Sequence, residues 1–184
     1  MTSAAPNNWT AELLLFWFET LEPTDWFGSS DAVDAALKER FEHALVANAA
    51  RNPSDFLTDA DTARAAILLF DQVPRNLYRG TANAFATDPL ALALTKTSID
   101  NGWDENLSNS ERQFIAMPLM HSEDLADQEA SLAYFTKHMP EHSSFAESHH
   151  AMIAQFGRFP HRNAALGRET TAAEQRAIDD GFSW

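Results

Sequence analysis

Residues 58–80 read TDADTARAAILLFDQVPRNLYRG, and they decide the architecture. Thr58 or Asp59 is a polar cap residue ahead of Ala63, Ala66, Ile67 and Phe70, which recur at helical spacing. The spacing predicts a helix with those side chains turned inward. Pro74 has no backbone N–H, and its ring clashes with the carbonyl four residues earlier. The helix is therefore expected to kink there or break into a second short helix. No stretch of useful length alternates apolar and polar residues as a half-buried strand would.

The same punctuation recurs on both sides of this stretch. Toward the N-terminus, a helix is expected over about 10–20, with Asn8 or Thr10 as cap and Pro23 as stop. Its run LLLFWF is apolar nearly all round, which predicts burial on most sides. Trp9, Trp17, Trp26 and Phe27 are read mainly as core, with a groove lining as the alternative. Ser30 caps a helix to about Ala50, where Val33, Leu37, Phe41, Ala44 and Leu45 share a face, and Pro53 ends it.

Toward the C-terminus, residues 81–86 predict one more turn. Asp88 before Pro89 reads as a cap with proline at the first helical position, and Gly102 lies just past a helix of about 89–101. Ser108 with Glu111, Ser144 with Glu147 and Thr171 with Glu174 have the Ser/Thr-x-x-Glu pattern of a capping box. They predict helices at about 109–116, 145–156 and 172–180. Ser122 is expected to cap a helix that runs to His138 and stops at Pro140, while Gly157 and Gly181 suit left-handed helix ends. The expectation is all-α, about eight helices with short loops in one domain over residues 1–184, of which 1–8 are expected to be loosely ordered.

Composition narrows the chemistry. The 184 residues are 45% hydrophobic, as a folded chain requires, and carry 27 acids against 13 Lys and Arg, a net charge of −14. Such a field repels a phosphate backbone, so nucleic acid and anionic membrane surfaces are excluded as expected partners. The longest apolar run, Leu13 to Phe18, is far short of a membrane span, and no basic residue precedes it as in a secretory leader. With no cysteine there is no thiolate chemistry. The expected compartment is the cytoplasm.

Against that acidic background, residues 148–168 contain no Asp or Glu, where the average density predicts about three. They end in FGRFPHRNAALGR, residues 156–168, a loop between the last two predicted helices. A second acid-free window, 72–87, holds Arg75 and Arg79. Arginine suits bidentate contact with carboxylate or phosphate. In one reading these arginines pair with protein acids such as Asp71, Glu123 or Asp124 and pin the loop to the helices. In the other, Arg75, Arg79, Arg158, His161, Arg162, Asn163 and Arg168 line a pocket for a small anion. Asp71, Gln72, Asn76 and Gln128 are expected to form a structural polar network.

His121 and Glu123 follow Pro118 at an expected helix entrance, and with His161 they are the candidates for acid–base catalysis. Glu147 and His150 make a single Glu-x-x-His, too little for a di-metal bundle site, so no metal and no cofactor is expected. His149 and His150, being adjacent, point to different faces. Nucleophile-elbow, P-loop and dinucleotide motifs are missing.

The segments LLFDQVPRNLYRGTANAFATD, MPLMHSEDLADQE and FGRFPHRNAALGRETTAAE, with LLLFWFE at 13–19, resemble a bacterial family catalogued as domain of unknown function 924. The matching positions are Asp71, Gln72, Arg75, Asn76 and Arg79, then His121, Ser122, Glu123 and Gln128, then Gly157, Arg158, Pro160, His161, Arg162, Asn163 and Arg168. The resemblance implies a right-handed array of antiparallel helices similar to tetratricopeptide-repeat proteins, and it implies no reaction. Binding of a small anion is thus the leading expectation. A helical-repeat scaffold for a protein or peptide is the alternative, and a hydrolase working through His121, Glu123 and His161 is the second.

Overall fold

A computed structural model describes residues 8–182, and the regular elements among them are all helical. Helix α4, Ala60–Asp71, lies at the centre, capped by Asp59, whose carboxylate accepts from the Thr62 N–H. Its face is not a stripe: Ala63 and every residue from Ala65 to Asp71 are buried. Around it pack α1 (Trp9–Leu15), α3 (Asp31–Asn48), α6 (Asp88–Asp100) and α7 (Asn109–His121). Phe41 of α3, Phe114 of α7 and Trp17 just past the end of α1 join Ile67 and Phe70 in the largest apolar cluster.

The first predicted helix differs from expectation in burial. Leu13, Phe16 and Trp17 are buried, Phe16 against Phe41 and Trp17 against Phe114, but Leu15 is exposed and Leu14 and Phe18 are only partly covered. The chain there passes from α1 into a π-helical turn at Phe16–Thr20, a wider turn that redistributes side chains around the axis. Trp17 is core; Trp9 and Trp26 pack at its edge, and Phe27 is exposed. A short α2, Pro23–Trp26, connects to α3.

The break at Pro74 occurs as the sequence predicts. Helix α4 ends at Asp71, and α5, Val73–Leu77, begins one residue later with Pro74 in its first turn. Pro118 behaves otherwise. Helix α7 runs through it to His121, so His121 closes α7 and does not open the next helix. The proline leaves the Phe114 carbonyl without its helical donor, and the burial of Ile115, Leu119 and Met120 around it favours continuing the helix. Helices α8 (Leu125–His138) and α9 (Ser143–Phe156) then pack side by side with α7, an arrangement compatible with a tetratricopeptide-like array. Met120, Phe135, Met139 and Ala146 fill the space between them.

Gly157 ends α9 in the left-handed conformation at φ +67°, where a side chain would be strained. The chain then crosses back through a 3₁₀ turn at Pro160–Arg162 before α10, Ala172–Asp179. Ala177 of α10 closes over Met152, Ile153 and Phe159. None of the described helices is long and apolar enough to cross a membrane.

Candidate functional site

The break after α4 and the end of α7 meet at Asp71. This carboxylate is fully buried, accepts from Gln72 Nε2 at 2.6 Å and lies 2.7 Å from His121 Nδ1. Burial alone would push its carboxyl up, but the Arg75 charge, with His121 and Gln72, outweighs it and holds Asp71 well below the usual range. Arg75, one turn on in α5, donates to the Asp71 carbonyl at 2.5 Å and stands 3.3 Å from its carboxylate.

Asp88 is the residue that the sequence pattern misreads. Thr87, not Asp88, occupies the cap position, and no side chain caps α6. The Thr87 hydroxyl donates instead to the Phe70 carbonyl at 2.6 Å. Asp88 turns away from the backbone and takes both Arg75 nitrogens, at 2.8 and 2.9 Å. A bidentate charge-assisted pair outcompetes one capping bond from a backbone N–H. Pro89 gave the local pattern of a helix start, and nothing local announced an arginine thirteen residues upstream.

The loop after Gly157 supplies the other side. Phe159 is buried, and its N–H donates to Glu123 Oε1 at 2.7 Å. Arg168 grips the same carboxylate at 2.7 and 3.0 Å, reaches Asn163 Oδ1 at 2.9 Å and also bonds the Phe159 carbonyl. Arg158 pairs with Glu174 at the start of α10, at 2.6 and 3.0 Å. Asn163 and Arg168 therefore brace the loop. Arg158 is held at its outer end, and Arg79 lies apart from it on an exposed pair with Asp34.

Arg162 is placed differently. It is 6% exposed, and its guanidinium lies 4.5 Å from the Phe85 ring and 4.6 Å from the Phe159 ring. The nearest acid, Asp88, is 3.4 Å away, and Nε has no hydrogen-bond partner. Burial and the neighbouring Arg75 charge bring its pKa down to about 10. Beside it the rings of His121, His149, Phe159 and His161 follow one another at centroid distances of 6.4, 5.5 and 5.7 Å. Burial lowers all three histidines: His149 to about 3, aided by the charge on His121, and His161 to about 4, aided by Arg162. Burial and Arg75 lower His121 as well. At about 3 and about 4, His149 and His161 are neutral at pH 7.

The structure thus brings together Asp71, Arg75, His121, His161 and Arg162 from the sequence reading, and adds Asp88, Phe85 and His149. His149 and His150 do point to different faces, and His149 is the buried one. Gln72 belongs to the Asp71 network; Asn76 caps the Gln72 carbonyl, and Gln128 ties α8 to the Met120 and Ser122 carbonyls. Both oxygens of Glu123 are engaged, Oε1 by the Phe159 N–H and Arg168 and Oε2 by Arg168. Asp124 caps α8. No group of three His, Asp or Glu side chains among the described residues is placed to hold a metal ion.

Fold and site define a class: an all-helical protein in which arginines, histidines and carboxylates from three separated segments are buried together. The chain belongs to the family of bacterial proteins of unknown function, DUF924, whose pattern matches residues 13–181. A solved structure of a protein of unknown function from Agrobacterium tumefaciens is 37% identical and superposes with a TM-score of 0.87, over 94% of this chain and 97% of that one. No curated protein matches the sequence.

Proposed function

We propose that the protein binds a small phosphate- or carboxylate-bearing ligand at Arg162, in a site braced by the ion pairs of the loop. The observation that carries this is the state of the Arg162 side chain. A buried guanidinium with one long contact to an acid and an unpartnered Nε has given up hydration without full repayment. A ligand oxyanion supplies the missing acceptor, and the Phe85 and Phe159 rings hold the donor plane for bidentate contact.

The hydrolase reading has narrower support, because Glu123 is held by Arg168 and the Phe159 N–H. The scaffold reading rests on exposed Leu15, which lines a surface hollow of about 220 Å³ together with Phe18, Arg64 and Glu111. Against it, α10 covers the apolar side of α9.

The test is a thermal-shift series with phosphorylated and carboxylated metabolites. A ligand at a hundred times its Kd stabilises by about 2.7 kcal/mol, a rise of several degrees for a chain of this size. Arg162→Met should abolish the rise and Arg79→Met should leave it. If no anion moves the wild-type Tm, the reading fails.

A further inference from the structure

We infer that the hollow between α8 and the turn after α6 binds a small primary alkylamine in its ammonium form, through the buried carboxylate of Asp104. The hollow shares no residue with the Arg162 cluster, and the inference does not rest on the anion-binding reading.

The turn is built from NGWDE, residues 101–105. Gly102 takes φ +69° just past the end of α6, where its N–H returns to the Ile99 carbonyl and that of Trp103 to the Ser98 carbonyl. Arg112 of α7 fixes the next two residues by donating to the Asp104 and Glu105 carbonyls at 3.1 and 3.0 Å. These bonds use main-chain oxygens, so the arginine holds the turn without pairing with the Asp104 carboxylate.

That carboxylate is 5% exposed, and its hydrogen bond comes from the Tyr134 hydroxyl of α8, to Oδ2 at 2.5 Å. Burial and the bond to Asp104 push the phenol up, so it keeps the proton that it donates. Oδ1 accepts from no described residue, yet it is not among the fully enclosed polar atoms, and Asp104 lines the hollow. No described cation forms an ion pair with it. A carboxylate buried to this degree against a neutral donor lacks the counter-charge that normally accompanies burial.

The hollow measures about 360 Å³, within the range of small-molecule sites, and Ile99, Ala130 and Ala133 give it an apolar wall. Glu105 and Lys137 also line it, but both are exposed and neither forms an ion pair with a described residue. An ammonium on a short alkyl chain matches the two features together. Its nitrogen supplies donors and charge to Oδ1, and its methylenes cover the isoleucine and the alanines. A divalent metal ion matches less well, because it needs several oxygen ligands. No group of three acids or histidines among the described residues is placed for one. The net charge of −14 also draws cations toward the molecule.

Amide-resolved NMR titration of the intact protein with n-butylammonium chloride at constant ionic strength tests the inference. The amides of Trp103, Asp104 and Tyr134 should shift along a saturable curve at millimolar ligand. The uncharged n-butanol should leave them in place. Asp104→Asn keeps an acceptor for the Tyr134 hydroxyl but removes the charge, and should weaken binding at least about tenfold. Ala133→Leu fills the hollow from an exposed helical position that tolerates leucine, and should also weaken binding severalfold. Shifts that fail to saturate, or equal shifts from n-butanol, would overturn the inference. So would wild-type affinity in either variant. If Asp104→Asn fails to fold, the n-butanol comparison and Ala133→Leu still decide the matter.

Discussion

Arg75 and Arg162 share Asp88 yet stand in opposite energetic positions. Arg75 is matched by two carboxylates, so removing it strands Asp71 and Asp88 in a poorly solvated place. Breaking a buried pair from one side typically costs about 3–5 kcal/mol. Arg75→Met should therefore lower the urea-derived stability by roughly that amount. Arg162 has one contact at 3.4 Å and is held mostly by rings. Arg162→Met removes a desolvated charge along with two cation–π contacts, and stability should stay within about 1 kcal/mol of wild type. A loss of several kcal/mol on Arg162→Met would mark it as a structural member of the cluster and count against a ligand.

At the scale of elements, helix starts were legible where the cap residue had no stronger partner. Ser30, Asp59, Ser108 and Thr171 all cap as their patterns predict. Ser122 does not: its hydroxyl donates to Asp127 and Asp124 caps α8 in its place. Ser144 fails for another reason. A 3₁₀ turn at Pro140–His142 runs straight into α9, so Ser144 lies inside the helix and not in the extended conformation that a cap needs. Both failures come from neighbours a few residues away, which single-position propensities do not register. The Thr171 box is coupled to the loop, because Glu174 serves the Thr171 N–H and Arg158 together. Thr171→Ala should cost about 1 kcal/mol, with amide exchange in α10 accelerated and that in α4 unchanged. Exchange rising equally in both helices would show that α10 does not open separately.

For the whole molecule, the buried histidines set the acid response. His149 and His161 hold their protons more weakly in the folded chain, at about 3 and about 4, than the ordinary value of 6.5. The unfolded chain binds more protons between those limits, so stability rises with pH there. The contribution is complete above pH 6.5 and is lost as pH falls toward the folded values, by up to about 1.4 kcal/mol per pH unit for each ring. Asp71, held below its ordinary 3.8, adds a loss in the same direction at lower pH. Urea midpoints should fall between pH 7 and pH 5, and His149→Phe should flatten the slope. A midpoint independent of pH over that range would refute the assignment. The cluster behind this response was only half legible. Acid-free windows located the arginines, and long segment matches located His121, but the meeting of Asp88, Phe85 and His149 with them depends on packing between segments that no local pattern encodes.

The same carboxylate gives the chain an order of assembly. Asp88 receives Arg75 from thirteen residues away and Arg162 from seventy-four. During synthesis the first contact can close as soon as α6 has emerged, leaving Arg75 between two carboxylates with one negative charge in excess. The second waits until nearly all of the polypeptide has been made and the final crossing is laid down. The buried cluster is therefore completed from its far end, long after Arg75 and Asp88 are able to pair.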